Sequence, residues 1–137
     1  MEQTSNELLL KDLCSRLLYG VKVQMADGAI EELINVNVST FICNGLKGLP
    51  KPYLFPLSSM TEEQLHELKE ITDFKYNRNT LELVEWTKTH KTIEFWLEEV
   101  PQYKVVEVFD WLNKNHFDYR CLIERGLAID ATGLNIY

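Results

Sequence analysis

The sequence predicts an α+β fold, and three observations carry that prediction. Residues 20–57 alternate apolar and polar side chains around an Asp-Gly turn, the pattern of antiparallel strands. Residues 61 onward open on a capping box followed by a leucine stripe, the pattern of an amphipathic helix. Val105, Val108, Phe109 and Leu112 then repeat at i, i+3, i+4, i+7, which gives one more helical face. Strands followed by helices, changing over near residue 58, read as α+β. A chain of 137 residues is the size of one domain. The expectation is one α+β domain over 1–137, with a helix and a sheet in 1–60 and a helical part in 61–137.

The elements follow in order. Ser5 or Asn6 caps a first helix that runs to about Leu18, with Leu9, Leu10, Leu13 and Leu17 on one face. Gly20 stops it, because glycine takes the left-handed conformation freely. Val21-Lys22-Val23-Gln24-Met25 alternates with period two and reads as a strand with one buried face. Asp27-Gly28 turns it into a return running from Ile30 to about Val38. Glu31 to Ile34 could form a helical turn, and Asn35 to Val38 alternates as a strand. Thr40 to Cys43 reads as a further strand and Asn44-Gly45 as a turn. Pro50, Pro52 and Pro56 confine the next stretch to an edge strand or an extended loop. Thr61 and Gln64 form the capping box of the next helix. Met60 and Leu65 staple its start, and it ends near Asp73. Residues 74–80 read as a loop and 81–99 as a helix with a break around Thr89-His90. Pro101 fits the first turn of another helix, which ends near Asn115. Tyr119 to Arg125 reads as a short helix stopped by Gly126, with a short strand near Leu127 to Ile129.

Charge narrows the function classes. Fourteen basic and twenty-one acidic residues leave a net charge of −7. Residues 61–137 hold 9 bases and 15 acids, so they carry −6 of it. The basic residues are scattered singly, whereas a phosphate backbone or an anionic membrane surface is met by clustered Lys and Arg. Nucleic-acid and membrane partners are therefore not expected. An acidic face suits a basic protein surface. Cys14, Cys43 and Cys121 are odd in number, far apart and flanked by apolar residues, and read as buried thiols in a reducing compartment. The chain opens without a basic stretch leading into an apolar run, and no apolar run is long enough to span a bilayer. The expected location is the cytoplasm.

The densest polar cluster is His116-Phe117-Asp118-Tyr119-Arg120, which gathers an imidazole, a carboxylate, a phenol and a guanidinium after an amphipathic helix. His116, Asp118, Tyr119 and Arg120 are the candidate ligand-binding residues. The competing reading is structural: Asp118 caps, Arg120 pairs with Asp118 or Glu124, and Phe117 and Tyr119 fill the core. His66, His90 and His116 show no metal-ligand spacing, so neither a metal site nor a cofactor is expected. Asn44 to Gly48 lacks the order of a phosphate-binding loop and reads as a turn. No catalytic residue emerges. Tyr53 and Phe55 in the proline-rich stretch, and Trp96 and Trp111 in the acidic half, are the aromatic candidates for anchoring a partner. Packing into the core is the competing reading for each.

Three stretches resemble a family of small uncharacterised proteins from phages and mobile elements of gut Bacteroidetes. They are Leu13-Cys14-Ser15-Arg16-Leu17-Leu18-Tyr19-Gly20-Val21-Lys22-Val23, residues 51–63 around Tyr53-Leu54-Phe55-Pro56, and residues 110–129 from Asp110-Trp111 to Ala128-Ile129. Together they cover about a third of the chain. Relatives often carry glycine where this chain has Cys121. The resemblance implies one domain and a phage or mobile-element origin. It implies no activity. A helix, a Val-x-Val strand, an Asp-Gly turn and a return strand also resemble the opening of small SH3-like or Sm-like barrels, which implies a β-meander that closes on itself.

The leading expectation is a non-enzymatic protein-interaction module of a phage or mobile element that acts on a host or element protein, or on a second copy of itself. Two alternatives stand beside it. One is a nucleic-acid-associated small barrel or acidic DNA mimic. The other is a small ligand-binding protein or enzyme that uses the His116–Arg120 segment.

Overall fold

The computed structural model describes residues 4–43, 48–72 and 105–137. It is α+β. Four helices and five strands are present among those residues: α1 (Ser5–Arg16), β1 (Lys22–Gln24), β2 (Ile30–Glu32), α2 (Asn35–Cys43), β3 (Lys51–Pro56), α3 (Glu62–Thr72), α4 (Val105–Lys114), β4 (Phe117–Asp118) and β5 (Ile129–Asp130). The chain divides into two compact units, Met1–Leu54 with Leu122–Tyr137, and Phe55–Cys121. Strand β3 contributes its first four residues to the first unit and its last two to the second. The expected loop at 74–80, the expected helix at 81–99, Pro101 and the Asn44-Gly45 turn lie outside the described residues.

The first unit begins with α1. Its cap is Thr4, not Ser5 or Asn6: Thr4 Oγ1 accepts the Glu7 amide at 3.2 Å and Glu7 Oε2 accepts the Thr4 amide at 3.3 Å. That reciprocal pair satisfies two amides that a later cap would leave open. Leu9 and Leu13 are buried as expected, but Asp12 and Arg16 are buried with them. A 3-10 turn at Leu17–Tyr19 follows, and Gly20, at φ 68°, ends it in the left-handed conformation. Strands β1 and β2 form the expected Asp-Gly hairpin, with Val23 opposite Glu31. Asp27 Oδ1 accepts the Ala29 amide at 3.0 Å and fixes the turn.

The strands expected at Asn35–Val38 and Thr40–Cys43 are instead the single helix α2. Its β-branched residues favour strands locally. Tertiary burial decides otherwise: Val38 is buried and Phe41, three residues on, is half-buried, while Ile42 is 52 % exposed. Helical spacing buries that pair where alternation would separate it. The amides of Asn37 and Val38 both donate to the Ile34 carbonyl, at 3.1 and 3.3 Å.

The proline-rich stretch is not an edge. Strand β3 pairs antiparallel with β1 through Pro52 and Lys51, and parallel with β5 through Tyr53 and Leu54. In the second unit it pairs parallel with β4, Phe55 opposite Phe117. Each partner covers only two residues, so a proline removes little from any one ladder. The described strands make an open, mixed sheet. The expected antiparallel meander does not close into an SH3-like or Sm-like barrel, because α2 replaces its later strands and β2 pairs β1 alone. Strand β4 lies in the part expected to be helical, and β5 lies beside the short strand expected near Leu127 to Ile129.

Tyr137 ties the first unit's sheet. Continuing the β1–β3 register puts Lys22 opposite Tyr53. The Tyr137 hydroxyl bridges that rung, accepting the Lys22 amide at 2.9 Å and donating to the Tyr53 carbonyl at 2.7 Å. The residue is 42 % exposed, but its hydroxyl is turned inward, and burial pushes its pKa up to about 12. An unfolded tyrosine ionises near 10. Its stabilising contribution is therefore complete below pH 10 and is lost as pH rises toward 12. Tyr137→Phe should be less stable than the parent at pH 9, and the gap should narrow by pH 12. Urea unfolding at both pH values checks this, and a gap constant with pH would refute it.

In the second unit the start of α3 stands as the sequence predicts. Thr61 Oγ1 accepts the Gln64 amide at 3.1 Å, and Gln64 Oε1 accepts the Thr61 amide at 2.9 Å. Met60 and Leu65 are both buried, as the staple requires. Among the described residues Leu57, Leu68, Val108, Trp111, Leu112, Phe117 and Tyr119 share that core, with Phe55, Ile71, Val105 and Phe109 packed at its margin. No helix among the described residues is long and apolar enough to cross a membrane.

Candidate functional site

The His116–Arg120 segment starts where α4 stops. His116 sits at φ 61°, the left-handed position that ends a helix, and its amide donates to the Asn113 carbonyl at 3.1 Å. The Phe55 amide then donates to the His116 carbonyl at 2.8 Å, which draws Phe117–Asp118 into strand β4. Cys121, at φ 57°, turns the chain away again. The expected Tyr119–Arg125 helix is absent: these residues make turns, and the Leu127 amide reaches the Leu122 carbonyl at 2.9 Å. A left-handed residue at Cys121 interrupts the helical path.

Within the segment Phe117, Asp118 and Tyr119 are buried. Asp118 Oδ1 accepts the Arg120 amide at 3.3 Å. Arg120 Nη1 donates to the Tyr119 hydroxyl at 3.0 Å, and that hydroxyl donates to Asn113 Oδ1 at 2.8 Å. The guanidinium lies 4.6 Å from the Tyr119 ring centre. These contacts hold the segment to α4. Neither open cavity with a described lining includes His116, Asp118, Tyr119 or Arg120.

Left-handed backbone costs a side-chain-bearing residue about 1–2 kcal/mol, against about 0.5–1 kcal/mol for the greater unfolded freedom of glycine. Cys121→Gly should therefore stabilise the protein by roughly 0.5 kcal/mol, and Cys121→Val should destabilise it. Equilibrium unfolding of the two variants gives the comparison. A less stable glycine variant would refute the backbone argument. The cysteines also depart from expectation. Cys14 and Cys43 are exposed and Cys121 is half-buried, and none of the three is in a disulfide. Helical phase places the first two away from the buried faces of α1 and α2.

The aromatic candidates separate. Tyr53 is buried on β3. Phe55 is half-buried against the second unit's core, with its ring centre 6.3 Å from that of Phe117. Trp96 lies outside the described residues. Trp111 is largely buried, yet it reaches a surface groove. Its ring stacks on Phe117 at 5.6 Å and 16°, and its indole Nε1–H donates to Glu67 Oε2 at 3.2 Å.

That groove, about 550 Å³, lies along α3 and α4 and is lined by Glu67, Glu70, Ile71, Trp111, Lys114 and Asn115. The amphipathic phase of α3 explains its acidic wall. Leu65 and Leu68 turn inward, which leaves Glu67 and Glu70 on the exposed side, one turn apart. Asn115 Nδ2 donates to the Trp111 carbonyl at 2.9 Å and closes the end of α4. Among the described residues no ion pair joins Lys114 to either carboxylate. Among the described residues the groove thus brings together two carboxylates, Ile71, the buried Trp111 and the Lys114 ammonium. Sequence reading singled out Trp111 but missed Glu67 and Glu70, whose signal was their i, i+3 spacing beside the leucine stripe. Among the described residues no group of His, Cys, Asp or Glu is placed to hold a metal ion. The sequence matches no protein-family model, and no match is found among the curated proteins or the solved structures.

Proposed function

We propose that this protein is a non-enzymatic protein-interaction module of a phage or mobile element, acting in the cytoplasm on a host or element protein. The α3–α4 groove is its docking face. The observation that carries this reading is the pairing of Glu67 and Glu70 with Ile71 and the buried Trp111 along an open groove. Aromatic anchors beside polar groups are the usual composition of protein-binding hot spots. The three stretches that resemble phage and mobile-element proteins support the origin. The left-handed backbone at Cys121, where those proteins often carry glycine, agrees with that resemblance. A nucleic-acid partner would meet the same carboxylates unfavourably.

The test is affinity capture from bacterial lysate, with nuclease treatment, comparing the parent with a Glu67→Lys/Glu70→Lys variant. A nuclease-resistant partner bound by the parent and lost from the variant supports the reading. A partner released by nuclease, or one held equally by both proteins, overturns it.

A further inference from the structure

We propose that Thr132–Tyr137 is a releasable strap and that the notch it closes between β1 and β3 is a binding site for a tyrosine residue. Tyr137 fills the notch when the strap is down, and a tyrosine of a protein partner fills it when the strap is up. All of the residues concerned belong to the first unit, and nothing in the argument depends on the α3–α4 groove.

The notch reads three features of its occupant. The Lys22 amide donates to the Tyr137 hydroxyl at 2.9 Å, and that hydroxyl donates to the Tyr53 carbonyl at 2.7 Å. The group between them must therefore both accept and donate, which a phenol does and a methyl ether or a bare ring does not. The Lys22 ammonium donates to the Ile136 carbonyl at 2.8 Å. That carbonyl directly precedes the tyrosine, and a charge-assisted bond to it selects a tyrosine within a peptide over a free phenol. The third feature is the ring. Water also accepts and donates, but it brings no apolar surface to cover, whereas Tyr137 is a little over half covered in place.

The strap is lightly held. A bond from the Ala131 amide to the Leu54 carbonyl, at 2.8 Å, anchors its base. Beyond it Thr132, Gly133, Leu134 and Asn135 are all exposed. Gly133 at φ 77° and Asn135 at φ 53° turn the chain twice within three residues. Leu134, Ile136 and Tyr137 are not among the residues that form the first unit's core cluster. A segment with so little apolar burial opens at a fraction of the free energy of global unfolding. The notch itself outlasts that opening, because pairing with β2 holds β1 and pairing with β5 holds β3. Its amide and carbonyl are thus in position before a partner's tyrosine arrives.

The Lys22 amide reports on both halves of the proposal. In the parent chain, its hydrogen exchange should be at least about tenfold faster than that of the Leu33 amide, which donates to the Val21 carbonyl, and should not change in urea below the unfolding transition. Binding is read in the full-length Tyr137→Ala variant by nitrogen–proton correlation spectra. N-acetyl-tyrosine-amide, whose acetyl carbonyl stands where that of Ile136 does, should move the Lys22 amide signal to saturation. The O-methyl-tyrosine and phenylalanine derivatives should each bind about tenfold more weakly, for loss of the donor or of the whole hydroxyl. p-Cresol, which lacks the carbonyl, should bind about fivefold more weakly. The parent should not respond at the same concentrations, because its tethered Tyr137 holds the notch at a higher effective concentration. If Tyr137→Ala loses its fold, circular dichroism reads the same comparison: the tyrosine derivative restores the helical signal and the phenylalanine derivative does not.

Lys22 exchange with the same urea dependence as Leu33 would overturn the strap. Equal binding of the tyrosine, O-methyl-tyrosine and phenylalanine derivatives, no response of the variant to the tyrosine derivative, or an equal response from the parent would overturn the site. p-Cresol binding as tightly as the tyrosine derivative would overturn the selection of a peptide tyrosine.

Discussion

Asp12→Ala will cost the protein about 3–5 kcal/mol of stability, the range for removing one member of a buried ion pair. Arg16 Nε lies 2.9 Å from Asp12 Oδ2, and both side chains are fully buried. The two residues are four apart on α1, on the face that also buries Leu9 and Leu13. Removing the carboxylate leaves the guanidinium in the interior without the anion that stabilises its charge. Replacing both residues, Asp12→Leu with Arg16→Met, should cost clearly less than the single change, because no buried charge is then left behind. Urea unfolding followed by far-ultraviolet circular dichroism distinguishes the cases. A single variant within about 1 kcal/mol of the parent would show that the pair contributes little.

Trp111→Ala should cost a comparable amount, about 3–5 kcal/mol, through lost burial and the cavity left behind. The change removes the ring stacked on Phe117 and the hydrogen bond to Glu67, and it takes away the floor of the groove. Trp111→Phe keeps an aromatic ring against Phe117 and should be markedly milder. Guanidinium unfolding of the two variants checks the order. If the alanine variant unfolds at the parent's midpoint, Trp111 is not part of the second unit's core.

Where local chemistry and burial agreed, reading residues was enough. The Thr61–Gln64 capping box, the Met60–Leu65 staple and the apolar stripe of α4 all stand at their expected residues. So does the Asp27-Gly28 hairpin. Each depends on groups within four residues of one another, and that spacing is visible in a string of letters. Asn35–Cys43 shows the opposite case. Its β-branched residues and alternation pointed to strands, and the burial of Val38 with Phe41 made a helix. The prolines of β3 pointed to an edge, yet β3 has three partners because each touches only two residues.

The candidate site divides in the same way. His116–Arg120 looked like a cluster because its polar groups are adjacent in sequence. Left-handed turns at His116 and Cys121 instead lay them along a two-residue strand, with Asp118 and Tyr119 inside. Glu67 and Trp111 are 44 positions apart, and only the packing of α3 on α4 brings them to 3.2 Å.

By itself the sequence determined the α+β class, the capping box of α3, the hairpin turn and the buried stripes of α3 and α4, because these follow from periodicity and neighbouring hydrogen-bond donors and acceptors. Only the tertiary structure decided the helix at Asn35–Cys43, the parallel pairing of β3, the bridge made by Tyr137 and the groove beside Trp111. Those depend on which distant surfaces exclude water together, and burial of that kind outweighs local preferences of a few tenths of a kcal/mol, up to ~1 kcal/mol, per residue.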